Sequence, residues 1–344
     1  MGRKTEILLL STAIIPFLLF FIDVHYTLAP SDTIYATKDS DRANACILIL
    51  ARNSDLDGVL HSLKSFEANF NSKYKYPYVF LNDKEFSSTF KEQVQSATVS
   101  KVEFGKVPVE HWSYPDHVDQ RKAKQAREKM KDVLYGSSES YRFMCRYFSG
   151  FFYRHELVQK YDWYWRVEPD VDFYCNIDFD PFVFLSKNNQ KYAFTISKIE
   201  IDATIPSLFQ TVNEFIHKYP NLINLNNGLD FLLKSGNYYS KCHFWSNFEI
   251  ASFSLYRSEQ YEKFFEFLDL TGNFFYERWG DAPVHTLAVG LFLDLDQVHY
   301  FENIGYRHDD TLHCPIGRNC GCDMRKSEDA SDGACAIKWK KLTN

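Results

Sequence analysis

An α/β sandwich is the fold class this sequence predicts, on three observations. Short apolar runs bounded by turn residues alternate with segments of helical periodicity. The 344 residues are 45% hydrophobic and 24% charged, which is globular composition with enough apolar material for a substantial core. An aromatic strand pattern, Tyr161-Asp162-Trp163-Tyr164-Trp165-Arg166-Val167, runs straight into Glu168-Pro169-Asp170-Val171-Asp172, which sets carboxylates at a strand end, where open α/β sheets hold their ligands. Neither an internal repeat nor a low-complexity linker interrupts the chain, so one domain is expected.

The elements follow in order. Gly2-Arg3-Lys4 precedes a nearly charge-free run over residues 7–22, closed by Asp23, a membrane-targeting pattern. It predicts a cytosolic tail over 1–6, a signal anchor over 7–24, a short stem over 25–41 and a lumenal domain over 42–344. A cleaved signal peptide is the alternative, with Thr27-Leu28-Ala29 resembling a cleavage site and Pro30 opposing it. The run 45–51 reads as a fully buried strand, and Leu56, Leu60, Leu63 and Phe66 give the helix after it. Strands are expected over 76–81 and 100–104, and a charged helix with a solvated face over 119–134. Tyr141, Met144, Cys145, Phe148, Phe152 and His155 recur at helical spacing and form a stripe that packs under the strand delivering Glu168. Further on, a strand is expected over 193–199 and helices over 206–219 and 283–293.

Two places carry chemistry. Alternation puts Trp163, Trp165 and Val167 on one face of a half-buried strand and Tyr164, Arg166 and Glu168 on the other, and Pro169 ends the ladder because it has no N–H. The hard oxygens of Glu168 and Asp170 suit Mg²⁺ or Mn²⁺; the plainer reading is an acidic turn after an edge strand. Arg52-Asn53-Ser54-Asp55 makes a polar turn where the first strand ends. There Arg52 either offers bidentate donors to a diphosphate or tops the strand in solvent. Classical dinucleotide and P-loop patterns are absent. The net charge of −6 argues against a nucleic-acid partner, which requires a basic face. Most of the 31 Phe and 22 Tyr are expected in the core. Eight cysteines in a lumenal chain favour disulfides, with a stapled tail over 314–344 and Cys46 as a small core residue. No Asn-x-Ser/Thr sequon occurs.

Five blocks carry a family resemblance: Leu50-Ala51-Arg52-Asn53-Ser54-Asp55, Ser140-Tyr141-Arg142-Phe143-Met144-Cys145-Arg146, Trp165-Arg166-Val167-Glu168-Pro169, Cys242-His243-Phe244-Trp245-Ser246-Asn247-Phe248-Glu249-Ile250, and Phe274-Phe275-Tyr276-Glu277-Arg278-Trp279-Gly280-Asp281-Ala282-Pro283-Val284-His285. From about residue 42 to Cys314 the chain resembles the fungal Golgi α-1,2-mannosyltransferases of glycosyltransferase family 15. The resemblance implies a GT-A-like nucleotide-sugar-binding mixed sheet with flanking helices. It implies a type II Golgi membrane protein that moves mannose from GDP-mannose to mannose-terminated N- or O-linked glycans with retention, using Mn²⁺.

By the same resemblance Glu168 and His308 hold the metal, and Arg52, Tyr141 and Asp281 bind GDP-mannose. Glu249, Tyr141 and Asp281 are the implied catalytic residues, the Tyr141 phenol bonding to the incoming hydroxyl or to Glu249. Without it, Glu249 reads as an exposed helix acid or a partner of Arg257, and Asp281 as a helix N-cap; with it, Asp170 is left as a partner supporting Glu168, and the Asp170-Val171-Asp172 pattern as coincidence. Phe209, where the family more usually has Trp, and Asp309-Asp310, which replaces a Pro-containing stretch, depart from the pattern. A mannosylphosphate transferase of the same family and a non-catalytic mannan-binding protein are the competing expectations.

Overall fold

The computed structural model describes residues 42–343 apart from 237, 319, 332 and 333. The expected tail, anchor and stem lie outside the described residues. Among those described, no helix is long and apolar enough to cross a membrane.

The strands are β1 (Ala45–Leu50), β2 (Tyr78–Asn82), β3 (Val102–Lys106), β4 (Trp163–Arg166), β5 (Val171–Tyr174), β6 (Tyr192–Phe194), β7 (Ser197–Ile199), β8 (Leu233–Lys234), β9 (Tyr238–Tyr239), β10 (Cys242–Phe244), β11 (Glu249–Ser252), β12 (Val298–Tyr300), β13 (Gly305–His308) and β14 (Thr311–His313). Seven of them form the central sheet in the order β12-β6-β11-β4-β1-β2-β3. It is mixed. β1 pairs in parallel with β2 and β4, whereas β11 runs antiparallel to both β4 and β6. A separate antiparallel sheet, β14-β13-β5, carries the chain that follows β4.

Helices cover both faces of the central sheet, so β1 and β4 are buried on both sides, as strands in such sheets are. The half-buried and edge-strand expectations for β4 therefore fail. Trp165 packs among Phe66, Phe70, Phe173, Phe182 and Phe248 on one face. Tyr164 is equally buried on the other, against Phe152 and Phe253. Burying one such ring stabilises the fold by roughly 1.5–3 kcal/mol.

Three boundaries differ from expectation. The strand expected over 193–199 splits: β6 stays in the central sheet and β7 leaves it to pair with β10. The charged helix runs only Gln120–Lys129, capped by Asp119, and the chain then turns through Gly136, whose missing side chain leaves room for the Met130 carbonyl. The helix Glu139–Gly150 starts with Ser138 Oγ accepting from the Tyr141 N–H. It stops before Phe152 and His155; at its last residue, Gly150, the Phe265 ring leaves no room for a side chain, since a Cβ would lie 2.1 Å from it.

Disulfides join Cys175 to Cys320, Cys242 to Cys335 and Cys314 to Cys322. The cysteine-rich tail is thereby stapled onto the body, as expected, and Cys46 is a free, buried core residue.

Candidate active site

A cavity of about 570 Å³ opens at the carboxyl ends of β1, β2 and β4. The turn after β1 supplies Arg52 and Asp55, the first turn of the helix Leu56–Phe66 supplies Asp57 and Gly58, and β2 ends in Asn82-Asp83. The opposite wall is Tyr135, Tyr141, Met144 and Phe148, and the floor is Glu168, Pro169 and Asp170, with His308 and Asp309 arriving from β13. Six lining residues are carboxylates (Asp55, Asp57, Asp83, Glu168, Asp170, Asp309), against Arg52 as the permanent cation among them. Such a wall repels a diphosphate unless a divalent cation stands between them.

Glu168 and His308 are the residues here that could hold that cation. Glu168 Oε2 and His308 Nε2 are 4.0 Å apart. An ion about 2.1 Å from each fits that gap, and a carboxylate with an imidazole suits Mn²⁺. Asp309 Oδ2 also lies 4.0 Å from His308 Nε2, but among the described residues no group of three acidic, His or Cys side chains is placed to hold a metal together. Each donor is held from behind. Arg166 binds Glu168 Oε1. His308 Nδ1 lies 2.6 Å from the Asn247 amide, and the ring is tilted over Trp245 at 5.2 Å.

Asp170 and Asp172, the other carboxylates of the opening motif, are not interchangeable with Glu168. Asp170 takes a left-handed backbone (φ 60°) and presses its carboxylate on Gly58, where a Cβ would lie 2.6 Å from it. Asp172 faces away from the cavity, bonding His61 at 2.9 Å and Arg307 Nε at 3.0 Å. It thus ties β5 to the strand that delivers His308.

Behind the floor lies a chain of alternating charges. The buried Arg166 donates to Glu168 on one side and to Asp281 Oδ2, at 2.6 Å, on the other, with its guanidinium 3.6 Å above the Phe148 ring. Asp281 sits in the first turn of the helix Asp281–Phe292, where Gly280 is the N-cap, so the N-cap reading of Asp281 fails. Burial would raise its carboxyl, but Arg166, His285 and the Ser246 hydroxyl hold it below the usual carboxylate range.

Glu249 is neither exposed nor on a helix. It opens β11 directly opposite Arg166 on β4 and is fully buried. Its carboxylate accepts from Tyr164, from Tyr192 at 2.7 Å and from His285 Nδ1 at 2.8 Å. His285 Nε2 is 2.9 Å from the Phe148 carbonyl. Both ring nitrogens face acceptors, so the ring is the doubly protonated cation. Burial opposes that charge, yet Glu249 keeps the histidine above its ordinary value. Burial likewise disfavours the Glu249 anion, and His285 with Tyr164 lowers its carboxyl below the usual range. Arg257 is elsewhere, donating to the Tyr161 and Val158 carbonyls.

The structure therefore brings Arg52, Tyr141, Glu168 and His308 to one cavity, with Asp281 joined to it through Arg166 and Glu249 one layer deeper. Arg52 is 68% exposed and forms a two-pronged pair with Asp55, both contacts 3.1 Å. Tyr141 stacks on Tyr135 with ring centres 4.6 Å apart, and burial keeps its phenol protonated. The expected Tyr141–Glu249 bond does not form, because the oxygens of Glu249 are taken by other donors. Sequence reasoning missed Arg166, Asn247 and His285 as parts of the site. All three stand inside the family blocks, yet strand alternation had assigned Arg166 to a solvent face.

The family described as glycolipid 2-alpha-mannosyltransferase matches residues 26–344. The chain is 51% identical over 305 residues to the O-glycoside alpha-1,2-mannosyltransferase omh1 of Schizosaccharomyces pombe, covering 87% of this chain and 78% of that one. Its fold is similar to two solved structures at 37% identity. Core-mannan synthase A from Aspergillus fumigatus, in a Mn/GDP form, aligns with a TM-score of 0.81 over 88% of this chain and 84% of that one. The mannosyltransferase Ktr4p from S. cerevisiae, in complex with GDP, aligns with a TM-score of 0.84 over 88% of this chain and 83% of that one. With the family matched across the whole described domain, this chain belongs to the glycolipid 2-alpha-mannosyltransferases.

Proposed function

We propose that this protein is a Mn²⁺-dependent mannosyltransferase that moves mannose from GDP-mannose to a hydroxyl of a mannose-terminated glycan, with retention and in α-1,2 linkage. The observation that carries the reading is the Glu168–His308 pair, 4.0 Å apart, in a cavity whose other lining carboxylates repel a diphosphate on their own. Family membership supplies the donor and the sugar. The proposed setting is the Golgi lumen, with residues 7–24 as a type II anchor.

Each residue has a task in this reading. Arg52, the exposed member of its pair with Asp55, exchanges that partner for diphosphate oxygens, a swap that costs little because a surface pair is worth about 0–1 kcal/mol. Glu168 and His308 hold the cation, which when bound neutralises the charge growing on the departing diphosphate. The Tyr141 phenol stays protonated and donates to an oxygen of the sugar or diphosphate. Asp281 fixes the Arg166 guanidinium and through it the orientation of Glu168. Glu249 contributes to catalysis from behind the wall, as the anion that keeps this layer in place. A buried carboxylate that already accepts from three side chains is a poor nucleophile, which favours a front-side route. On that route the acceptor hydroxyl attacks the sugar on the face the diphosphate leaves, and a diphosphate oxygen takes its proton.

The test is to incubate the full chain with Mn²⁺, GDP-mannose and methyl α-mannoside and identify both products. A dimannoside with GDP is expected. GMP in its place would mean transfer of mannose phosphate, and glycan binding without turnover would leave only a lectin.

A further inference from the structure

Asn247 lies between two groups of the metal-bearing corner and is 5% exposed. Its amide nitrogen is 2.6 Å from His308 Nδ1, and the phenol of the fully buried Tyr306 is 3.1 Å from the Asn247 main-chain oxygen and 3.2 Å from Asn247 Oδ1. Counting protons exposes a conflict. With the amide nitrogen donating to Nδ1, a neutral His308 carries its proton on Nε2, the atom that faces Glu168. A protonated Nε2 has no lone pair for a metal. Meanwhile Tyr306, with one hydroxyl proton, faces two carbonyl oxygens and can satisfy only one of them.

A half-turn of the Asn247 amide exchanges its oxygen and nitrogen and removes both faults. Oδ1 then accepts from Nδ1–H of His308, the amide nitrogen donates to the Tyr306 phenol, and the phenol donates to the Asn247 main-chain oxygen. Every contact has one donor and one acceptor. The Nε2 lone pair is left pointing at Glu168.

We propose that Asn247 is a positioning residue which, seated against Tyr306, holds the His308 proton on Nδ1 and so readies Nε2 for the divalent cation. The proposal rests on Glu168 and His308 being the metal pair. Ligating histidines gain their orientation and tautomer in this way from an acceptor on the far nitrogen, and losing such a partner costs about 10–100-fold in metal affinity.

The experiment titrates Mn²⁺ into the full chain in the presence of GDP, followed by the free-Mn²⁺ electron paramagnetic resonance signal. Asn247→Leu, which has no acceptor, is expected to weaken Mn²⁺ by about 10–100-fold. Asn247→Asp keeps an oxygen facing Nδ1 and is expected to stay within a few-fold of wild type. Equal weakening in the two variants, or wild-type affinity in Asn247→Leu, would overturn the proposal. His308→Ala is the control: if it binds Mn²⁺ like wild type, the metal assignment itself has failed. Nitrogen-15 spectra of the histidine rings in the metal-free wild type need no variant. The His308 proton on Nδ1 is the expected result, and a proton on Nε2 would overturn the proposal.

Discussion

Glu168 lies two residues beyond β4 and Glu249 opens the adjacent β11, directly opposite Arg166, yet their surroundings differ in kind. At the cavity rim Glu168 is 23% exposed, with one oxygen held by Arg166 and the other directed across 4.0 Å to His308. One layer back, Glu249 has no exposure and three donors. A carboxylate whose acceptor sites are filled by protein serves the fold, whereas one with a site held open is available to a ligand.

The sharpest way to break this contrast is to remove each carboxylate and ask what is lost. Glu249→Ala leaves the buried His285 cation unpaired and is expected to destabilise the protein by about 3–5 kcal/mol, read from urea unfolding. Glu168→Ala is expected to destabilise the protein less, because the buried Arg166 keeps Asp281, while lowering Mn²⁺ affinity and turnover by more than about 100-fold, since even outer partners of metal ligands cost 10–100-fold. If the two outcomes were exchanged, the division into rim and layer would be wrong.

A pH series sharpens the same contrast. The Glu249 carboxyl is lowered from 4.5, so its stabilisation is present above that value and is lost as pH falls through the folded value. His285 is raised from 6.5, so its contribution is complete below 6.5 and is lost as pH rises through the folded value. Stability from the pair should therefore be greatest between pH 4.5 and 6.5 and decline above it. In His285→Phe the decline above pH 6.5 should flatten, as urea midpoints will show. The smallest effect belongs to the rim: Arg52→Ala should change stability by less than about 1 kcal/mol, while GDP binding, measured by calorimetry, weakens.

Much of the fold was legible because apolar periodicity reports which segments are buried. The run at 45–51 and the helix through Leu56 and Phe66 appear where expected, and Glu168 does emerge at a strand end. Periodicity could not tell that β4 is central, since Tyr164 and Arg166 look like a polar face until Glu249 and Asp281 arrive from 85 and 115 residues away. Nor could it separate β6 from β7, which are divided by sheet membership and not by composition. Glu168 and His308 were paired by family resemblance alone, because what brings residues 168 and 308 together, the β5–β13 ladder and the Asn247 contact, joins segments far apart in the sequence.

The β14-β13-β5 sheet is fastened covalently at one end, the Gly305 end of β13, away from His308. Cys175, directly after β5, is bonded to Cys320, and Cys314, directly after β14, is bonded to Cys322. His308 thus stands on a small sheet held to the helix Leu56–Phe66 by hydrogen bonds near its own end and to the tail by disulfides at the other. A thiol reductant should therefore free the end of the sheet opposite His308, and Mn²⁺ affinity measured before and after reduction reads how far that hold extends along β13.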